Sequence, residues 1–369
     1  MEQRLRLCEM VGQKLRPDIA EVQARWEAFW LGESRRPMVW ANCLKEGEEY
    51  GRKMGELWPR YPLRPTDDFE KQARNLLEVR TTCFDYVADE VPYFDISFGP
   101  DQISGFFGQK IEYSDHSQGT SWSVPIEGEL EDLLPLIRED ENNSFYRTML
   151  DAHATFAGIL DGQVVLGGLD YHSNFDSIAS MRDPVAACMD LIDKPELMKE
   201  ALSRINEAYK RFYNRLYEVG RMANTGTGSW VNAYSSGRYV TLNSDFICML
   251  SPEQVVEFVI PCLEEETSVV DHAIFHLDGR DAIKHMKNIA AMDKIRAIQW
   301  TPSAGDQPNG PYWLDFYRDV LSTGKGIFIG TDTETARQLH QELKSNKIIY
   351  AVSGSREQVE NLVGWLDTD

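Results

Sequence analysis

A (β/α)8 (TIM) barrel with a largely helical N-terminal extension is the fold that this 369-residue sequence predicts. Three observations predict it. Short runs that are apolar on both faces recur through the C-terminal half, as expected of strands in a parallel sheet. Helical patterns separate them, and the last four runs start about 20 to 30 residues apart, the period of βα units. The competing open, doubly wound sheet carries a glycine-rich phosphate loop after its first strand, and GxGxxG is absent.

In chain order, residues 1–30 read as helix, with Trp26, Phe29 and Trp30 forming an apolar packing stripe. PMVWANC (37–43) is a first strand or an edge segment, and residues 44–160 mix helices with loops rich in Pro, Gly and aromatics. The strand runs are VVLGGLD (164–170), YVTLNSDF (239–246), AIFHLDG (273–279), RAIQWT (296–301), GIFIGTD (326–332) and KIIYAVS (347–353). Helices are expected at 252–270, 280–290, 312–323, 333–345 and 355–367. Ser251-Pro252-Glu253 opens the first with an N-cap, a proline at N1 and an early acid, and Ser355-Arg356-Glu357 opens the last in a similar way. No linker divides the chain, so residues 1–369 read as one domain with residues 1–90 as the extension.

Composition excludes several functions. The net charge is −21, which repels phosphate backbones and argues against nucleic acid as a partner. No run of 18 or more apolar residues would span a membrane. The first residues lack the apolar core and cleavage site of a secretory signal. Six scattered cysteines without a CxxC pair suit free thiols, so a cytoplasmic location is expected. GxSxG and HExxH are both absent, which disfavours serine hydrolases and zincins.

In a barrel of this type the active site lies at the C-terminal ends of the strands. The polar residues there are Asp170, Tyr171 and His172, then Asn243 and Asp245, then His276 and Asp278, then Gln299 and Trp300, then Thr331 and Asp332, and finally Ser353 and Ser355. His276 and Asp278 are two apart on one strand, so both side chains point to one face. With Asp245 they are the candidate catalytic groups, for acid–base work or for polarising a substrate. His276 and Asp278 are also the candidate ligands of zinc or another divalent metal. Tyr171, His172, Trp230, Gln299, Trp300 and Asp332 are the candidate substrate-binding residues, with Trp230, Trp300, Trp313 and Tyr171 as an apolar wall.

DFICMLSPEQVVEFVIPCLEEE (245–266), IFHLDGRDAIKHM (274–286), IQWTPSAG (298–305) and WLDFYRDVLSTGKGIFI (313–329) follow one another in an order that resembles the uroporphyrinogen decarboxylase superfamily. GGLDYHSNFDSIASMRDP and DLIDKPELMKEAL upstream are similar to it too. The resemblance covers residues 160–369 well and the first 150 loosely, and it implies a single barrel with an N-terminal extension.

It also implies either porphyrin-pathway decarboxylation, a lyase reaction, or methyl transfer with a corrinoid. The decarboxylase arginine motif P-V-W-x-M-R-Q-A-G-R-Y faces PMVWANCLKEGEEY here, with Asn42 where a guanidinium would bind carboxylate. Asp95 in YFDISFG is similar to the aspartate that contacts pyrrole nitrogens. The thiol-methylating branch holds zinc through H-x-C and a later cysteine; His276 matches the histidine, but Asp278 and Ser353-Gly354-Ser355 replace the sulfur ligands.

The leading expectation is an enzyme moving a methyl group between a small methylated substrate and a corrinoid protein. The alternatives are a cofactor-free decarboxylase of uroporphyrinogen or another carboxylated substrate, and a non-catalytic barrel that binds a tetrapyrrole or small ligand. The oligomeric state stays open, a homodimer included.

Overall fold

The computed structural model describes residues 14–113 and 119–368. Besides two small antiparallel pairs, its strands are β1 Met38–Trp40, β2 Tyr93–Phe94, β3 Val165–Gly168, β4 Thr227–Ser229, β5 Tyr234–Ser235, β6 Tyr239–Leu242, β7 His272–Asp278, β8 Ile295–Thr301, β9 Gly326–Asp332 and β10 Ile348–Ser353. Six of them form one parallel sheet in the order β1-β10-β9-β8-β7-β6. β2, β3 and β4 run parallel in a second sheet, and β5 folds back antiparallel on β4. The expected eight-stranded closure is not seen among the described residues: the strands form a curled six-stranded parallel half and a separate four-stranded sheet. Among the described residues no backbone ladder joins the two. At one seam, a hydrogen bond from Ser229 Oγ to Thr241 Oγ1 (2.9 Å) spans the gap between β4 and β6.

The strand runs fall where expected to within a residue or so, except that YVTLNSDF stops at Leu242 and VVLGGLD at Gly168. In the first, Asp245–Met249 turn into a 3-10 helix. PMVWANC supplies an edge strand: Met38 pairs with Ile349, so the early strand completes a sheet built mostly from the C-terminal third.

The principal outer helices are α1 Ile19–Leu31, α2 Phe69–Thr82, α3 Asn174–Arg182, α4 Pro195–Val219, α5 Ile260–Thr267, α6 Leu314–Ser322, α7 Thr333–Leu343 and α8 Arg356–Leu366. Ser251 and Ser355 both form capping boxes, with Gln254 and Gln358 reaching back. The helix expected at 252–270 ends at Thr267 and contains a π turn at Val255–Val259. Pro261 has no N–H to return to the preceding turn, so the ladder widens there. The 280–290 helix is 3-10 up to His285 and α only from Met286.

The Trp26/Phe29/Trp30 stripe of α1 plugs the N-terminal ends of the strands. Trp30 stacks on His272 at the start of β7 (5.0 Å, 5°), and its Nε1 donates to the Tyr234 carbonyl (2.7 Å). With that end sealed, the C-terminal ends of the strands are the open mouth. No helix among the described residues is long and apolar enough to cross a membrane. Their five cysteines are free thiols; Cys8 lies outside the described residues.

Candidate active site

His276 and Asp278 stand at the end of β7, in register with Gln299 and Thr301 of β8. His276 Nδ1 bonds to Gln299 Oε1, and Gln299 Nε2 donates to Thr301 Oγ1 (2.8 Å). Because a carboxamide oxygen only accepts, Nδ1 carries a proton. The other ring nitrogen, Nε2, faces Asp245 Oδ1 at 4.0 Å. The Trp230 ring meets the imidazole edge to face, 4.8 Å between centroids. Ligand atoms of Asp245, His276 and Asp278 all lie within 4.8 Å of one another.

A second histidine shares Asp245. His172 Nε2 lies 3.2 Å from Asp170 Oδ2, and its Nδ1 is 3.6 Å from Asp176 Oδ2 and 3.8 Å from Asp245 Oδ2. Burial opposes a charge on this ring, but the carboxylates of Asp170, Asp176 and Asp245 override it and hold His172 protonated well above the usual histidine range. Asp245 is pushed up to about 6, first by burial and then by Asp176 and Asp170, against the pull of the two histidines.

The loop carrying these groups is held rigidly. His172 and Asn174 both adopt left-handed φ values, +33° and +51°, which non-glycine residues keep only where contacts enforce them. Ser177 Oγ donates to the His172 carbonyl (2.8 Å), and Asn174 Nδ2 reaches the Asn243 carbonyl (3.0 Å). Asn243 Nδ2 donates to Asp170 Oδ1 (2.8 Å). Asp176 accepts the backbone N–H groups of Asp245 (2.8 Å) and Phe246 (3.0 Å), which pins the 3-10 turn bearing Asp245.

Beneath the loop, Glu266 of α5 is fully buried. Its Oε1 accepts from Ser173 Oγ (2.6 Å) and Asn174 Nδ2 (3.2 Å), while Oε2 has no hydrogen-bond partner. Burial pushes this carboxyl from 4.5 up to about 8, against the lowering effect of those two bonds. The folded state thus keeps a proton that the unfolded chain releases above its ordinary value. The stability linked to Glu266 is complete below pH 4.5 and is lost as the pH rises toward 8. Glu266→Gln is expected to remove this slope. The melting temperature of the variant should exceed that of the wild type by a margin that grows between pH 5 and pH 8.5. A constant margin across that range would refute the buried-proton reading.

Of the candidate residues, Asp245, His276, Asp278, His172, Gln299 and Trp230 converge at the mouth. Three do not. Trp300 follows Gln299 on the strand, so alternation sends it to the opposite face, where it is fully buried against Trp313 and Phe316. Tyr171 packs under α4 against Tyr209 (4.9 Å) and Tyr213. The expected apolar wall of Tyr171, Trp300 and Trp313 is therefore outer-layer core, and only Trp230 remains at the mouth. Asp332 spends its carboxylate as the N-cap of α7, accepting from the Glu334 and Thr335 N–H groups (both 2.9 Å) and from Thr335 Oγ1. Asp176 was the residue missed by sequence reasoning; its one signal is a position four after His172 on a helix start.

Fold and site together define an α/β protein with a carboxylate–histidine centre at the C-terminal ends of its parallel strands. In fold it is similar to a methyltransferase from Methanosarcina mazei, with a TM-score of 0.56 at 14% identity, covering 94% of this chain and 98% of that one. No protein-family model and no curated protein sequence matches the chain.

Proposed function

We propose that the protein is a methyltransferase that moves a methyl group between a small methylated substrate and a corrinoid carried by a partner protein, and that its two sheets are the halves of one (β/α)8 barrel. The observation that carries this reading is the cluster of Asp245, His276 and Asp278. Asp245 Oδ1 is buried with no hydrogen-bond partner and faces Nε2 of His276. Such an arrangement suits a divalent cation. The donors are oxygen and nitrogen only, so the site fits a cation that accepts carboxylate and imidazole rather than one held by thiolates. A bound cation there would polarise the heteroatom of the substrate as a Lewis acid.

The residues of the chain supply the rest. Gln299 fixes the His276 tautomer, and Trp230 sets the ring orientation. His172, protonated and tethered by Asp170 and Asp176, places positive charge beside Asp245 and has a proton for a leaving heteroatom. The fold likeness to the Methanosarcina mazei methyltransferase supports the same reading. A mouth ringed by carboxylates weighs against an octa-acid substrate.

The test is a spectroscopic assay with reduced corrinoid and a panel of methylated amines, thiols and alcohols. Protein-dependent formation of methyl-corrinoid from at least one of them is the expected result. Failure with the whole panel, in protein replete with divalent metal, would overturn the proposal.

A further inference from the structure

A cavity of about 160 Å³ opens between the ends of β1 and β2, walled by Trp40, Asn42, Trp58, Tyr61, Arg80 and Asp95. It adjoins the centre described above. Burial, then the carboxylates of Asp170 and Asp95, raise the Tyr61 hydroxyl above its usual range.

The wall carries opposite charges. Arg80 of α2 is almost wholly buried, with its guanidinium 4.9 Å from the Trp58 ring and 5.1 Å from Phe84. Its Nη2 donates to the Tyr93 carbonyl (2.6 Å) and its Nη1 to Asn42 Oδ1 (3.3 Å), while Nε has no partner. Glu90 lies 3.7 Å away, but burial lifts its carboxyl to about 8, so it is mostly protonated at neutral pH and takes up little of the arginine charge. Asn42 accepts from Arg80 through its oxygen, which leaves its amide N–H groups as donors. A guanidinium on the cavity wall beside a free carboxamide donor is a receptor for a carboxylate.

Asp95 is the negative group. Its backbone is gripped closely: a Cβ on Gly167 would come within 3.0 Å of its own Cβ, so glycine there lets β3 press Asp95 into place. Burial, and then Asp170, push its carboxyl up to about 6, so it is mostly ionised at pH 7. An anion in a cavity that Trp40 also lines suits an alkylated ammonium, which gains from both charge and π face.

We infer that this cavity binds a small zwitterion, an N-alkylated amino acid, with its carboxylate on Arg80 and Asn42 and its ammonium on Asp95. Binding here stands apart from the methyl-transfer reading and is measured without turnover.

Calorimetric titration at pH 7 with N,N-dimethylglycine and N,N,N-trimethylglycine is the test, with acetate and tetramethylammonium as the separate halves. At least one zwitterion is expected to bind tenfold or more tighter than either half. Asp95→Asn, which keeps shape and volume, and Arg80→Lys are each expected to weaken it tenfold or more. Arg80 also supports the packing of Trp58, so the melting temperature of each variant is taken alongside; Asp95→Asn decides if Arg80→Lys unfolds. No binding of either zwitterion, or binding untouched by Asp95→Asn, overturns the inference. Zwitterion binding with no methyl-corrinoid formed sustains the subsite and sinks the methyl-transfer reading. Methyl transfer from neutral compounds alone, with no zwitterion bound, does the reverse.

Discussion

Under the proposed function, alanine at His276 is expected to lower methyl transfer by roughly 10²–10⁴-fold, the usual loss on removing a positioned acid–base group, and to abolish divalent-metal binding at the centre. His276 meets a carboxylate, a carboxamide and an indole of the centre at once. Its Nε2 faces the unpartnered Asp245 Oδ1, its Nδ1 is held by Gln299, and its ring lies against Trp230. Gln299→Leu leaves the imidazole in place but frees its tautomer, and the expected effect is smaller, about 10–100-fold in metal affinity. Elemental analysis of both variants, with kcat/KM for the first, gives the comparison. Stoichiometric metal and unchanged turnover in His276→Ala would show that the chemistry lies elsewhere in the mouth.

The second large effect is on stability. Asp176→Ala is expected to cost about 3–5 kcal/mol, the range for breaking a buried ion pair by removing one partner. Asp176 is buried, accepts the N–H groups of Asp245 and Phe246, and lies beside His172 Nδ1. Alanine leaves two amides and a protonated imidazole short of an acceptor at once. Each hydrogen bond to a charged group is worth about 1.5–3 kcal/mol. Asp176→Asn keeps one accepting oxygen in nearly the same place, so its cost should be about half. Urea unfolding of the three proteins measures both. A loss under about 1 kcal/mol for alanine would mean that the 3-10 turn is held by other contacts.

Much of this centre was legible in the residues themselves. His276 and Asp278 share a face because side chains on a strand repeat every two residues, and a seven-residue apolar run with polar groups only at its end reads as a buried strand reaching a mouth. The same alternation would have rejected Trp300: neighbours such as Gln299 and Trp300 cannot both point inward. Asp332 carried its own warning, since an aspartate followed by Thr-Glu-Thr at a helix start is an N-cap by type and position. Asp176 was hidden for a different reason. Its function comes from two amides 69 and 70 residues further along the chain, and nothing local in NFDSIAS distinguishes it from a solvated acid.

The N-terminal third shows the same division. That Met38–Trp40 forms a strand follows from its apolar run, but its place beside Ile348–Ser353 is a pairing across more than three hundred residues. Asn42 and Asp95 stood in the sequence as an absent arginine motif and a faint likeness. Only the fold brings Arg80, from a helix nearly forty residues after Asn42, into the wall they share.

What the sequence determined by itself was the alternating βα architecture, the acidic charge and the residue types at strand ends, because these depend on periodicity and on propensities that act within a few residues. Tertiary structure alone decided which of those residues meet, how far the strands join into one sheet, and which carboxyls keep their protons. Those outcomes depend on register, burial and the field of distant charges, quantities that exist only once the chain has closed on itself.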